Sequence, residues 1–377
     1  MSQPLDMPRW LDLVVLPLVN LSLAFAVSAV VLLAIGQDPW QVLTLLVKGA
    51  FGSRGGLSYT LYYATTFVFT GLAVAVAFHA GLFNIGGEGQ AMMGGLGAGL
   101  MALGFAHALP AWLLLPLMVL AAMVFGMAWA AVPGALQAWR GSHVVITTIM
   151  FNFIASALLI YLLVNVLKEP GNMTPESRLF GPAAQLPSAH EMLAWIGIEW
   201  PRTPLNFSLL LAVAAAVGVY LLVWRSQPGY ALRTVGHTPA AAHYAGIRPQ
   251  TQIVRAMAIS GALAALVGIN EIAGVHNRLM ADFVAGAGFT GIAVSLIGRN
   301  HPLGIVLAAL LFGALYQGGA ELAFEIQGFS RDMVFTLQGL IVLFAGAMAQ
   351  VAAPTLARAY HWLRRRAMPA QLGAQGG

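Results

Sequence analysis

The sequence predicts an all-α, polytopic helical membrane protein, and three observations predict it. Of 377 residues, 59% are hydrophobic and only 8% charged, with a mean hydropathy of +0.80; a soluble chain carries about a quarter charged residues. The apolar residues fall in runs of roughly 20, the length a helix needs to cross a hydrocarbon core about 30 Å thick. The 42 glycines lie inside those runs rather than in low-complexity tracts, as helical membrane bundles tolerate. This composition excludes a disordered chain, a soluble enzyme and a nucleic-acid-binding domain. The absence of cysteine excludes disulfides, thiolate metal sites and cysteine nucleophiles.

The apolar runs predict ten spans: 11–35, 59–78, 83–103, 112–132, 144–166, 207–224, 254–275, 283–297, 303–324 and 333–351. The first is too long for a signal-peptide core and lacks a cleavage site, so it reads as a retained helix. The third and eighth are the least regular. With both termini in the cytoplasm, eleven of the 18 Lys and Arg residues lie inside, the bias that cytoplasmic loops carry. Residues 225–255 hold four arginines and no acid, whereas 168–202 mixes three basic residues with Glu169, Glu176, Glu191 and Glu199. The chain therefore reads as one transmembrane domain, 1–377. It has a folded external loop at 168–204, a cytoplasmic loop at 225–253 and a basic cytoplasmic tail at 354–377. One short echo links the halves: FTGLAV at 69–74 and FTGIAV at 289–294, which fits the internal duplication common in transporters.

Three polar clusters interrupt the apolar background. Residues 79–90, HAGLFNIGGEGQ, set Asn84, Glu88 and Gln90 among glycines. A carboxylate at membrane depth is costly and must face protein or water, and clustered glycines suit a broken or re-entrant helix. Two readings stand: a polar element beside a translocation path, or a hydrogen-bond lock between helices, the latter favoured for Glu88 itself. Residues 229–247 contain a short amphipathic helix after Pro239, ended at Gly246. It suits either a lipid surface or a groove on a cytoplasmic partner. Glu271, His276, Arg278 and Asp282 close the seventh span, where Glu271 reads as a snorkelled, paired carboxylate. Asn152, near Thr147 and Thr148, reads as a helix-to-helix hydrogen-bonding residue. Glu88 is then the one carboxylate expected well inside a span, which argues against a proton relay. No HExxH and no GxxxxGK[ST] occurs, so no P-loop hydrolysis is expected of this chain.

Four ordered segments carry a family resemblance: GLFNIGGEGQ (81–90), VITTIMFNFIA (145–155), ALRTVGHTPAAAHYAGI (231–247) and GAGFTGIAVSLIGRNHPLGIV (286–306). Together they resemble the permease subunits of ABC importers in the branched-chain amino acid/simple-sugar superfamily, and more narrowly the nucleoside-importer branch. The resemblance implies that 231–247 contains the coupling helix, with Arg233, Gly236, Pro239, Ala241, Ala242, Gly246 and Ile247 contacting a separate ABC ATPase subunit. Mg-ATP is then held by that ATPase, and this chain needs no cofactor or metal of its own. The resemblance also implies a bacterial inner-membrane location, a second and shorter permease, and an external substrate-binding lipoprotein. The external loop resembles that of the larger permease in such pairs. Two departures bear on substrate and ATPase choice: His143-Val144 stands where relatives carry Asn-Glu, and His237-Thr238 where they carry Glu-Asn.

The function expected is a translocation path for nucleosides, lined by Asn84, Glu88, Gln90, Asn152, Phe289 and Thr290. The alternatives are a simple sugar or other small polar metabolite as substrate or, from another class, a stand-alone secondary carrier or channel.

Overall fold

The computed structural model describes residues 8, 11, 15–171, 173–326, 333–340, 343, 355–358 and 360. Among them every regular element is helical, apart from isolated bridges. The chain divides into two compact units, residues 46–321 and residues 1–45 with 322–377. The latter begins with α1 (Leu16–Ala34), which gives way to a turn at Gly36, whose φ is 78°, before Pro39 opens α2 (Pro39–Phe51), whose residues from 46 on belong to the larger unit. The two helices are bent by 119°.

The larger unit holds α3 (Arg54–His79), α4 (Gly87–Phe105), α5 (Ala111–Arg140), α6 (Val144–Asn165) and the six-residue α7 (Ala189–Ala194). These are followed by α8 (Ser208–Arg225), α9 (Gln227–His237), α10 (Pro239–Tyr244), α11 (Pro249–Gly268), α12 (Ala287–Ile297) and most of α13 (Pro302–Glu325). From Ile269 to His276, α11 continues as a π-helix. The apolar windows of α3 and of the α11 span are 78% and 72% buried, against 22% for α5 and 28% each for α6 and α8. α3 and α11 are therefore interior helices, and so is α4, 14 of whose 19 residues are buried. Residues such as Phe153 and Ile146 on α6, or Val213 and Val217 on α8, are exposed, as lipid-facing side chains are.

Glycines set the closeness of the interior crossings. A Cβ on Gly261 of α11 would stand 2.2 Å from the Gly126 carbonyl oxygen of α5. One on Gly268 would stand 2.4 Å from the Gly95 nitrogen of α4. Without a hydrophobic drive between helices in lipid, such close backbone approach is what holds them.

Six helices among the described residues are long and apolar enough to cross a membrane, or seven if α1 and α2 count as one bent span. The expected ten is not reached on these criteria. α4 has the length but is glycine-rich, and it starts at Gly87 rather than 83 because residues 80–86 form an irregular connector. α12 has only 11 residues, about 16 Å of helix, too short to cross alone. Its start is delayed because Asp282, Ala285 and Gly286 all take positive φ. The tenth expected span, 333–351, lies mostly outside the described residues, as does the 354–377 tail.

The 168–204 segment is folded. Ser177 N–H donates to Leu279 O at 2.8 Å, Phe180 N–H to Asn277 O at 2.7 Å and Leu186 N–H to Ala273 O at 2.9 Å. Arg278 pairs with Glu176 at 2.6 Å, and Ser188 and Glu191 form a capping box on α7.

Candidate functional site

The connector between α3 and α4 is the centre of the polar architecture. α3 ends in a glycine turn: Gly81, at φ 74°, donates to Phe78 O and Leu82 N–H donates to Ala77 O at 3.0 Å, a Schellman closure. Asn84 then bonds on both ends of its amide. Its Nδ2 donates to Gln90 Oε1 at 3.0 Å and to Ser260 Oγ at 2.8 Å, while its Oδ1 accepts from Gly86 N–H and from Gln90 Nε2. Ser260 in turn donates to Ala73 O at 2.6 Å, so the connector is tied to α11 and α3 at once. Asn152 of α6 accepts from Gly89 N–H at 2.9 Å and donates to Ile85 O at 2.9 Å. Each buried polar group left without its partner would cost about 1–3 kcal/mol, so these bonds hold the connector against α3, α6 and α11.

Glu88 reaches across to the start of α12. Its two oxygens accept from Gly286 N–H at 2.8 Å and Gly288 N–H at 2.9 Å. The free N–H groups of a helix N-terminus favour an anion there. Gly288 has no room for a side chain, since a Cβ would lie 2.2 Å from the Glu88 nitrogen.

Asn84, Glu88, Gln90 and Asn152 are thus brought together, all buried. Phe289 and Thr290 sit one and two residues beyond Gly288; Phe289 is 48% exposed and Thr290 partly exposed. The predicted path residues therefore separate into a buried network and an exposed pair on α12.

Glu271 was expected as a snorkelled, paired carboxylate near the interface. It is instead buried within the π-helix, and Arg278 is taken by Glu176. Its carboxyl accepts from the Tyr62 hydroxyl, from Thr66 Oγ1 at 2.8 Å and from Asn270 Nδ2 at 3.3 Å. Asn270 also meets Asn206 Nδ2 at 3.0 Å. Glu88 is accordingly not the sole carboxylate inside a span. Linear reading placed Glu271 by its distance from the end of an apolar run; its partners lie about 200 residues away in sequence. Tyr62, Thr66 and Ser260 were missed for the same reason, since nothing in the linear chain shows which polar groups their side chains meet.

The loop after α8 is attached to the same connector. Ser226 caps α9 by accepting from Gly229 N–H. Leu232 is buried in a cluster with Ala77, Ala80, Leu82, Val144, Ala256 and Met257. At the end of α9, a Cβ on Gly236 would stand 2.2 Å from His79 O and 2.9 Å from the Gly81 nitrogen, so backbone lies directly on backbone. His79 also hydrogen-bonds Asn300 O at 3.0 Å, in the turn between α12 and α13. Of the seven residues expected at the ATPase contact, Pro239, Ala241 and Gly246 are exposed and Arg233 and Ile247 partly so. Gly236 faces the α3 terminus and Ala242 is fully buried within the chain. Tyr244, on the same loop, is 92% exposed. Among the described residues no group of three His, Asp or Glu side chains is placed to hold a metal ion.

Comparison with known proteins gives a consistent set of relatives. The family described as branched-chain amino acid transport system, permease component, matches residues 56–346. A glucose ABC transporter permease of Haloferax volcanii is 37% identical over 343 residues, covering 89% of this chain and 88% of the relative. A guanosine ABC transporter permease of Bacillus subtilis is 34% identical, covering 90% of this chain and 95% of the relative. A nucleoside ABC transporter permease of Lactococcus lactis is 32% identical, covering 88% and 90%. No solved structure matches the chain.

Proposed function

We propose a function from one premise: the chain belongs to the permease-component family of branched-chain amino acid transport systems. It is the membrane subunit of an ABC importer, working with an ATPase and a substrate-binding protein. Its substrate is a nucleoside, its location the bacterial inner membrane with both termini cytoplasmic, and its membrane partner a second, shorter permease. The observation that carries the reading is the contact of Gly236 on His79 and Gly81. It joins an exposed loop directly to the buried connector and, through Glu88, to α12. Closure of the ATPase around ATP displaces α10; α9 passes the displacement to the connector, and Glu88 passes it to the helix that carries Phe289 and Thr290. Only a higher affinity of ATP for the closed state can drive that shift.

In this reading Asn84, Gln90 and Asn152 hold the connector rigid beside the path, and Phe289 and Thr290 meet the substrate. Arg233, Pro239, Ala241, Gly246 and Ile247 meet the ATPase. Nucleosides are supported by the guanosine and nucleoside permeases among the relatives. The glucose permease, at 37% identity, favours a sugar as the second reading.

The test is ATP hydrolysis and uptake by the complex in proteoliposomes, with the binding protein loaded with guanosine, with glucose or empty. Stimulation by guanosine alone supports the nucleoside reading, and stimulation by glucose alone replaces it with the sugar. Gradient-driven uptake by this chain without an ATPase would overturn both. Arg233→Glu with Ala241→Trp is expected to abolish co-purification with the ATPase and leave membrane insertion intact.

A further inference from the structure

We propose that the ends of α5 and α11, on the side of the α9–α10 loop, form a binding site for the headgroup of an anionic phospholipid. Arg140, Arg248 and Arg255 make the site, around the first turn of α11. The proposal goes beyond the importer reading and holds whichever substrate is carried.

Helix register brings the three arginines to one place. α5 and α11 run antiparallel: a Cβ on Gly126 would stand 2.4 Å from Gly261 O, and one on Gly134 would stand 3.4 Å from the Val254 Cα. Six residues onward from Gly134 is Arg140, the last residue of α5. Six residues back from Val254 is Arg248, directly before Pro249 opens α11. The two arginines are therefore level, at adjacent helix ends. Arg255 follows Arg248 at i+7, on the same face of α11. All three are exposed, and among the described residues none of them has a hydrogen bond or an ion pair. No Asp or Glu occurs between Glu88 and Glu169 or between Glu199 and Glu271, so neither the α5–α6 junction nor the run from α8 to α11 carries a counter-charge.

The same place holds open polar groups. α11 has no side-chain cap and no acid in its first turn. Pro249 has no N–H, and those of Gln250 and Thr251 precede the first helical bond, from Gln252 N–H to Arg248 O at 3.3 Å. Free N–H groups and the positive end of the helix dipole favour an anion there. Water alone would satisfy a bare helix start, but two further atoms are shut away from it. Gln252, 7% exposed and one turn from Arg248, keeps its Oε1 without a partner, and Ser142, two residues beyond Arg140, keeps a buried Oγ without one. Buried polar atoms left unpaired are costly. A phosphate oxygen accepts from the serine hydroxyl, and a headgroup hydroxyl donates to the glutamine oxygen.

Depth selects a lipid over an acidic protein surface. α5 has 30 residues, about 45 Å of helix, and overhangs a core of about 30 Å by some 7 Å at each end. Arg140 and Arg248 are then in the headgroup layer. Arg255, about 10 Å further in, is at the hydrocarbon edge, where an arginine extends its guanidinium outward to the phosphates. Trp139 is 67% exposed beside Arg140, and Val132, at i−7 on the same face, is 45% exposed. The outward apolar surface of α5 thus ends in a tryptophan at the interface, the usual place of that residue. The planar fork of arginine matches phosphate oxygens.

The test uses the complex reconstituted in vesicles of equal phosphatidylglycerol and phosphatidylcholine, re-extracted in a neutral detergent and washed. The lipid retained per complex is then measured. The parental complex is expected to retain phosphatidylglycerol in about tenfold excess or more, since each arginine near an anionic leaflet contributes about fivefold. Arg255→Gln should lower the excess about fivefold, and Arg140→Gln with Arg248→Gln should abolish it. These side chains are exposed and unpartnered, so the variants are expected to elute as the parental complex does. Arg225→Gln, at the end of α8 on the same side, is the control and should match the parental ratio. Equal retention of the two lipids by the parental complex overturns the proposal. An equal loss in Arg225→Gln also overturns it, because the attraction is then spread over the surface. Loss of the ATPase from the double variant with the lipid excess unchanged makes the arginines a protein contact, and overturns it too.

Discussion

Replacing Glu88 is the most direct probe of the link between the connector and α12. In Glu88→Ala both acceptors vanish, and the Gly286 and Gly288 N–H groups lose partners at 2.8 and 2.9 Å. A stranded buried donor costs about 1–3 kcal/mol. The Gly288 bond is buried but the Gly286 bond only partly so, which sets the second contribution at the low end. Loss of a negative group at a helix N-terminus adds about 0.3–1 kcal/mol. The sum is about 2–5 kcal/mol. Glu88→Gln keeps one carbonyl oxygen but turns an NH2 group toward the other donor, so about half that loss is expected. The assay is thermal inactivation of the purified complex in nanodiscs, paired with binding-protein-stimulated ATP hydrolysis. Stability should fall in the order Glu, Gln, Ala, and stimulation should fall faster than basal hydrolysis, because α12 loses its tie to the connector. Parental behaviour of Glu88→Ala, or a Gln variant worse than Ala, would refute the clamp.

Three further substitutions test other joints. Gly236→Ala pushes a methyl against the His79 carbonyl oxygen and is expected to reduce stimulated hydrolysis at unchanged basal hydrolysis, measured in the same nanodiscs. Thr66→Val removes a donor to Glu271 and the acceptor of Asn270, a loss of about 1–3 kcal/mol that Thr66→Ser should restore in a thermal-stability assay. Gly261→Ala places a Cβ 2.2 Å from backbone of α5, an overpacking of about 1–3 kcal/mol or more, read as loss of the monodisperse peak in size-exclusion chromatography.

Composition and period were enough to establish a helical membrane protein, because crossing a bilayer imposes a minimum apolar length that can be counted along the chain. The special status of residues 79–90 was equally plain, since a carboxylate and two amides among glycines have no bland place in an apolar run. The four motifs also identified the family without coordinates. What the linear chain does not contain is the set of partners. Glu271 looked like a surface carboxylate because its distance from the end of an apolar run was visible and Tyr62 and Thr66 were not. That Ala242 is buried and Gly236 lies on the α3 terminus could not be read from the motif, because small side chains do not reveal which way they face. Element lengths are decided locally, by backbone hydrogen bonding and solvent. Which polar groups meet is decided by helix crossings between residues as many as 209 positions apart, and only the tertiary structure holds that information.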